Sequence, residues 1–147
     1  MTHHAAWSAD VDGGSRGQAL VEFSLSIVVF LVFVVGIFDV GRAIYVYNGL
    51  SEAAREIARR TIVYPGAPDI GTSTQTLAVV ATQRGIIPGM TAPTFLCVDV
   101  TGTANGHEPC KTGDYVRVTT QATYTPSVLL GMGGAIQLKS AASMQIP

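Results

Sequence analysis

The feature that most constrains this chain is an almost wholly apolar run at residues 18–38, in which Glu22 is the one charged side chain. At a rise of about 1.5 Å per residue, a helix over this run is roughly 30 Å long, which is enough to cross the hydrocarbon core of a bilayer. A secretory signal peptide has a shorter apolar core, about 7–15 residues, and ends at a small-residue cleavage site, which this sequence does not have after the run. The sequence therefore predicts a membrane span over about residues 20–40.

Length and composition limit the rest of the chain. Its 147 residues leave room for one folded domain beside the span. Hydrophobic residues make up 48% and charged residues 13%, with the apolar excess in the first third, as expected for a single-pass membrane protein. A net charge of −1 argues against a nucleic-acid partner, because binding to phosphates requires a basic surface.

Three segments are expected along the chain. Residues 1–17 show no hydrophobic period and are predicted to be an irregular leader. A long N-terminal helix is predicted over residues 18–62, since the first proline that stops it is Pro65. The remainder, residues 63–147, is predicted to be an α+β domain. The outer half of the long helix is predicted to have one apolar face, formed by Ile37, Val40, Ile44, Tyr47, Ser51, Ala54 and Ala58. Packing of this face against the chain's own C-terminal domain is the favoured interpretation, and cover by neighbouring subunits is the alternative.

The α+β domain is predicted to contain a small helix and an antiparallel sheet of three to four strands. The helix is placed over residues 77–84, with a capping box at Thr72 and Gln75 and a stop at Gly85. Alternating apolar and polar residues then predict strands over three segments. These are residues 94–100, 114–124 and 135–146, joined by turn-rich connectors at 101–109 and 126–134.

Cys97 and Cys110, the two cysteines of the sequence, flank the connector between the first two predicted strands. A disulfide between them is the favoured interpretation, and it would place the domain outside the reducing cytosol. Two buried free thiols remain an alternative. A metal site is the least favoured interpretation, because His107 alone does not complete a tetrahedral ligand set.

The orientation of the span is contested by the charges around it. Arginines follow the span, and a simple positive-inside count would therefore keep the C-terminal part in the cytoplasm. That rule applies to short loops, however, and a whole domain can cross the membrane regardless of its charges. The cysteine pair favours an exported domain.

No catalytic motif stands out in the sequence. The histidines lie in the leader and in a loop, and neither a nucleophile elbow nor a phosphate-binding glycine loop is present. We expect no enzymatic activity, no cofactor and no small-molecule substrate. At the outer edge of the span, Asp39 and Arg42 have the spacing of an ion pair on one helix face.

Glu22 has two interpretations. It can be a hydrated carboxylate near the membrane surface, where the insertion penalty is low. Alternatively, cleavage after Gly17 would give Gln18 a free amino group one helical turn before Glu22. The new ammonium could then pair with this carboxylate, either in the same helix or in a neighbouring one.

These residues together resemble a known family. They resemble the TadE-like minor pilins, or pseudopilins, of tight-adherence (Flp-type) pilus systems. The resemblance lies in the segment from Arg16 to Phe23, the apolar run after it, Phe38-Asp39-Val40-Gly41-Arg42, Tyr45, Tyr47 and Ala53 to Arg59. The resemblance is dense over about residues 15–60 and loose elsewhere. Two departures are Phe23, where the major pilin often has tyrosine, and Ile57, where relatives often have glycine.

The resemblance implies a pilin-like fold and a non-enzymatic role in pilus assembly. A membrane prepilin peptidase would cut between Gly17 and Gln18, and Glu22 and Phe23 would occupy the fifth and sixth positions of the mature chain. It also implies an assembly ATPase with its membrane platform, a major pilin and a sister pseudopilin as partners. The alternative function is an unprocessed, membrane-anchored binding module of the cell envelope.

Overall fold

The structure, a computed structural model, describes residues 13–126 and 134–147. Helix α1 spans Gly13–Val63 and helix α2 spans Thr74–Ile86. Three strands follow: β1 Thr94–Val98, β2 Tyr115–Tyr124 and β3 Ile136–Gln145. They form one antiparallel sheet in the order β1-β2-β3. This arrangement confirms the predicted α+β class, with a long apolar helix, a small helix and an antiparallel sheet.

The chain divides into two units between Phe38 and Asp39. In the first unit, α1 already begins at Gly13. Residues 13–17, which were predicted to be irregular, are therefore helical, since no proline separates them from the apolar run. The remaining leader residues, 1–12, and residues 127–133 of the last predicted connector lie outside the described residues.

The junction between α1 and α2 is held by side-chain hydroxyls. Pro65 cannot continue α1, because it has no N–H and its ring clashes with the preceding turn. Ser73 is the N-cap of α2, and its Oγ accepts a hydrogen bond from the Thr76 N–H at 3.2 Å. The hydroxyls of Ser73 and Thr76 donate to the Tyr64 carbonyl at 2.6 and 3.2 Å. The end of α1 and the start of α2 are thereby tied together.

Both predicted ends of α2 are corrected by the structure. The capping box at Thr72 and Gln75 is wrong by one position, because the Thr72 hydroxyl donates instead to the Asp69 carbonyl at 2.7 Å. Gly85 lies inside the helix and does not end it. The helix ends before Ile87, whose extended backbone is the one that a following proline favours.

The domain core lies between the outer half of α1 and the inner face of the sheet. In β2 alternate residues are buried, and Val116, Val118 and Thr120 are fully so. Thr120 makes a direct bond from sheet to helix, because its hydroxyl donates to the Leu50 carbonyl at 2.9 Å. Small residues of α1 permit this close approach. The α1 residues of the core are Val46, Leu50, Ala53, Ala54, Ile57, Ala58 and Thr61.

The prediction that this face of α1 packs against the chain's own domain is largely wrong. Ala54 and Ala58 are buried, but Ile37, Val40, Ile44 and Tyr47 are exposed. The helix carries two overlapping apolar stripes. The sheet packs on the stripe that combines Leu50 and Ile57 with alanines, since alanine allows the backbone of the helix to come close to the strands.

Candidate functional site

The predicted processing and assembly residues lie together at the start of the apolar part of α1. Gly17, Gln18, Glu22 and Phe23 are all helical and exposed. Gln18 and Glu22 are four residues apart, or about 6 Å along the helix axis, so they lie on neighbouring turns of one face. The helix therefore places the future amino group, if the chain is cut after Gly17, within one turn of the carboxylate.

Downstream of these residues α1 is long and apolar enough to cross a membrane. Within the part of the chain that the structure describes, it is the one helix with this property. No residue of its most apolar window is buried within the protein. Exposure of a continuous apolar surface to water is unfavourable, and a lipid environment removes that penalty. This helix indicates a single-pass membrane anchor.

Residues 17–59 of the chain match the TadE-like protein family. This is a TadE-like segment. It covers 43 of the 147 residues, including the apolar run and the outer half of α1. The match confirms the resemblance that the sequence shows over these residues. A search of curated proteins and a search of solved structures each found no match.

At the outer edge of the apolar run, the TadE-like segment meets the end of β2. The Tyr124 hydroxyl donates to the Asp39 backbone carbonyl at 2.8 Å and lies 3.4 Å from Asp39 Oδ1. The Arg42 guanidinium lies over the Tyr124 ring, 5.7 Å from its centroid, which is within the range of a cation–π contact. Asp39 and Arg42 are thus brought together on one aromatic side chain. Their direct ion pair stays a prediction.

Tyr124 is a residue of this cluster that the sequence did not reveal. Alternation in β2 places it on the inner face, but no local pattern connects it to Asp39, 85 residues away. Burial raises the pKa of its hydroxyl, and the charge of Asp39 raises it further. Tyr124 therefore stays a neutral hydrogen-bond donor through the physiological pH range.

Outside the TadE-like segment, a disulfide joins Cys97 in β1 to Cys110 in the loop before β2. Their Cα atoms are 5.3 Å apart, a normal distance for a bridge. The bridge closes the loop that contains His107. His107 Nδ1 lies 2.8 Å from Asp114 Oδ2, and this contact is the main reason why the pKa of Asp114 is lowered. The two cysteines thus have a structural role, because their disulfide closes the loop between β1 and β2.

The loop also contains a tight turn at Asp99. Asp99 Oδ1 accepts hydrogen bonds from the Thr101 N–H, the Thr101 hydroxyl and the Thr103 N–H, at 2.8, 2.6 and 2.9 Å. These bonds, led by that of the Thr101 hydroxyl, lower the pKa of Asp99. They also explain why β1 ends at Val98, two residues before the predicted end. Among residues 13–126 and 134–147, no three histidine, cysteine or acidic side chains cluster as metal ligands would.

Proposed function

We propose that this chain is a non-enzymatic minor pilin, or pseudopilin, that takes part in assembling a tight-adherence type IV pilus at the cell surface. The observation that carries the proposal is the match to the TadE-like family over residues 17–59. That segment contains both the membrane-spanning helix and the residues Gly17, Gln18, Glu22 and Phe23. The sequence contains neither a nucleophile elbow nor a phosphate-binding glycine loop, which favours a structural role over an enzymatic one.

The first step in this proposal is cleavage between Gly17 and Gln18 by a prepilin peptidase. The new ammonium of Gln18 then pairs with Glu22, in its own helix or in the helix of a neighbouring subunit. Two isolated charges in an apolar environment are each unfavourable, whereas a close pair offsets much of that penalty. Where the pair joins two subunits, the carboxylate sets the position of one subunit relative to its neighbour during assembly.

In the proposed topology the domain after the span lies outside the cytoplasm. The Cys97–Cys110 bridge supports this topology, since disulfides persist in oxidising compartments. The partners proposed are the membrane, the prepilin peptidase, the major pilin, a sister pseudopilin and the assembly platform.

Replacing Glu22 tests the assembly role. We expect Glu22→Gln to enter the membrane as well as the parent chain does, because it removes a charge from the apolar segment. It should nevertheless lose copurification with the major pilin from sheared cell-surface material. Glu52→Gln is the matched control, because Glu52 is an exposed acid of the same helix beyond the apolar run, and this variant should copurify normally.

The alternative function predicts a different result. An unprocessed, membrane-anchored binding module does not need Glu22, and it should insert equally well or better without this charge. Equal recovery of the Glu22→Gln and Glu52→Gln variants with pilus material, or recovery of neither the parent nor the variants, would reject the proposed role in assembly.

A further inference from the structure

The outer face of the sheet carries a cavity that the proposed role in assembly does not use. Its volume is about 270 Å³, and it lies between the Asp99 turn and the neighbouring ends of β2 and β3. The residues that line it include Asp99, Thr101, Gly102, Tyr115, Arg117 and Ser143. Hydroxyl groups, one aromatic ring and one guanidinium therefore meet in a small space.

Arg117 is the side chain that points to a ligand. It is half-buried, and its Nε–H donates to the Ser143 Oγ at a long 3.4 Å. Within residues 13–126 and 134–147, no carboxylate lies within 4.0 Å of its guanidinium. A guanidinium offers five N–H donors in a planar fork, and the bond to Ser143 uses only the one on Nε. Most of these donors are available to an anion from outside the protein.

Gly102 lies directly against the Arg117 guanidinium on one side of the cavity. Its φ is +83°, and a Cβ at this position would lie 2.5 Å from Arg117 Nη2. A side chain here would therefore both strain the turn and push the guanidinium away. Glycine lets the turn lie directly against Arg117 and so helps to fix the orientation of the fork.

Asp99 lies in the same cavity and narrows the choice of ligand. Its Oδ1 is fully occupied by the three hydrogen bonds of its own turn. The Gly102 backbone also hydrogen-bonds to this carboxyl, and Oδ2, which has two lone pairs, can still accept a hydrogen bond from a hydroxyl. One guanidinium beside one carboxylate suits a monoanion that also carries hydroxyls. A phosphate group, with a charge of about −1.5 to −2 at neutral pH, would require further positive charge at this site.

We propose that this cavity binds a carboxylated monosaccharide, with the sugar carboxylate on the Arg117 guanidinium and a sugar hydroxyl on Asp99. A planar carboxylate matches the guanidinium fork in a bidentate pair. The cavity is smaller than the roughly 300–1,000 Å³ of sites for drug-sized ligands, which suits a single sugar unit. The Tyr115 ring provides an apolar surface next to the polar groups. This inference does not depend on the proposed role in pilus assembly.

The test is a titration of the ¹⁵N-labelled full chain in detergent micelles, followed by amide and arginine Nε–H chemical shifts at constant ionic strength. Glucuronate should produce saturable shifts at Asp99, Gly102, Arg117 and Ser143. Its uncharged methyl ester, glucose and acetate should each bind at least about tenfold more weakly, since each lacks either the charge or the hydroxyls. Arg117→Gln should abolish the saturable shifts.

Lys139→Gln is the matched control variant, because Lys139 is an exposed cation of the same sheet face, four residues from Ser143 along β3. It should bind glucuronate like the parent chain. The inference is overturned if the methyl ester binds as tightly as glucuronate, if acetate binds as tightly, or if no saturable shift is seen. The ester comparison decides the question without any variant, so it stands even if Arg117→Gln does not fold.

Discussion

Replacing Thr120 by valine removes one hydroxyl from the interface between helix and sheet and leaves the shape of the side chain almost unchanged. In the structure that hydroxyl is fully buried, and it lies 2.9 Å from the Leu50 carbonyl and 3.3 Å from the Ser140 carbonyl. Leu50 lies inside α1 and Ser140 inside β3. Both carbonyls can therefore keep backbone partners when the hydroxyl is removed.

The expected loss is that of one neutral hydrogen bond, about 1 kcal/mol. For a unit that spans residues 39–147, this corresponds to a decrease in Tm of roughly 4 °C. Thermal unfolding of the full chain in detergent micelles, followed by circular dichroism, measures it. A larger loss, near 3 kcal/mol, would mean that a carbonyl is left without any partner.

Thr119→Val is the matched control, because Thr119 is the next residue of β2 and its side chain lies on the opposite face of the sheet. In the described residues Thr119 makes no side-chain hydrogen bond. Its substitution should change Tm by less than about 1 °C or raise it slightly, since valine favours strands. If both valine variants unfold at the same temperature, the bond between Thr120 and α1 does not stabilise the fold.

Three further predictions concern the same domain. Leu50→Ala should lower the free energy of unfolding by about 2–5 kcal/mol, because it leaves a cavity in the core. Ile44→Ala should change it by less than about 0.5 kcal/mol, because Ile44 is exposed. Equal effects in denaturant titrations would show that the assigned buried face of α1 is wrong. Reduction of the Cys97–Cys110 bridge, which joins residues 13 apart, should lower the free energy of unfolding by about 3 kcal/mol, as measured by urea unfolding with and without reductant. Folding raises the pKa of Tyr124. The contribution of its neutral hydroxyl to the free energy of unfolding is therefore fully present below the unfolded pKa near 10 and is lost as the pH rises through the folded pKa. The free energy of unfolding measured across that range should fall less steeply in Tyr124→Phe than in the parent chain, and identical pH profiles would contradict this.

The sequence predicted the elements of this fold because each has a strong local signal. An apolar run of membrane length, a proline after the long helix and alternating residues in the strands are all visible without tertiary information. The face of α1 that packs on the sheet was not predictable in the same way. Two apolar stripes overlap on that helix, and the choice between them depends on the small residues Ala53 and Ala58, which share the buried core cluster with Val116, Val118 and Ala122 of β2.

The candidate sites likewise contain some residues that the local sequence reveals and others that it does not. Gly17 and Glu22 are recognisable from the residues around them, and the family match covers them. Tyr124 and Arg117 are not, because their roles depend on groups distant in sequence: Asp39 is 85 residues from Tyr124, and Ser143 is 26 residues from Arg117. The end of α2 was misplaced for a local reason, since Gly85 was given more weight than the proline three residues later.

The N-terminus of the membrane-resident protein is the most direct test of the proposed processing and assembly. Intact-mass spectrometry and N-terminal sequencing would compare protein extracted from the membranes of cells with and without the prepilin peptidase. With the peptidase the chain should begin at Gln18, and without it residues 1–17 should remain. A chain that keeps residues 1–17 in both strains, or that is recovered from the soluble fraction, would contradict a processed, membrane-anchored pilus subunit.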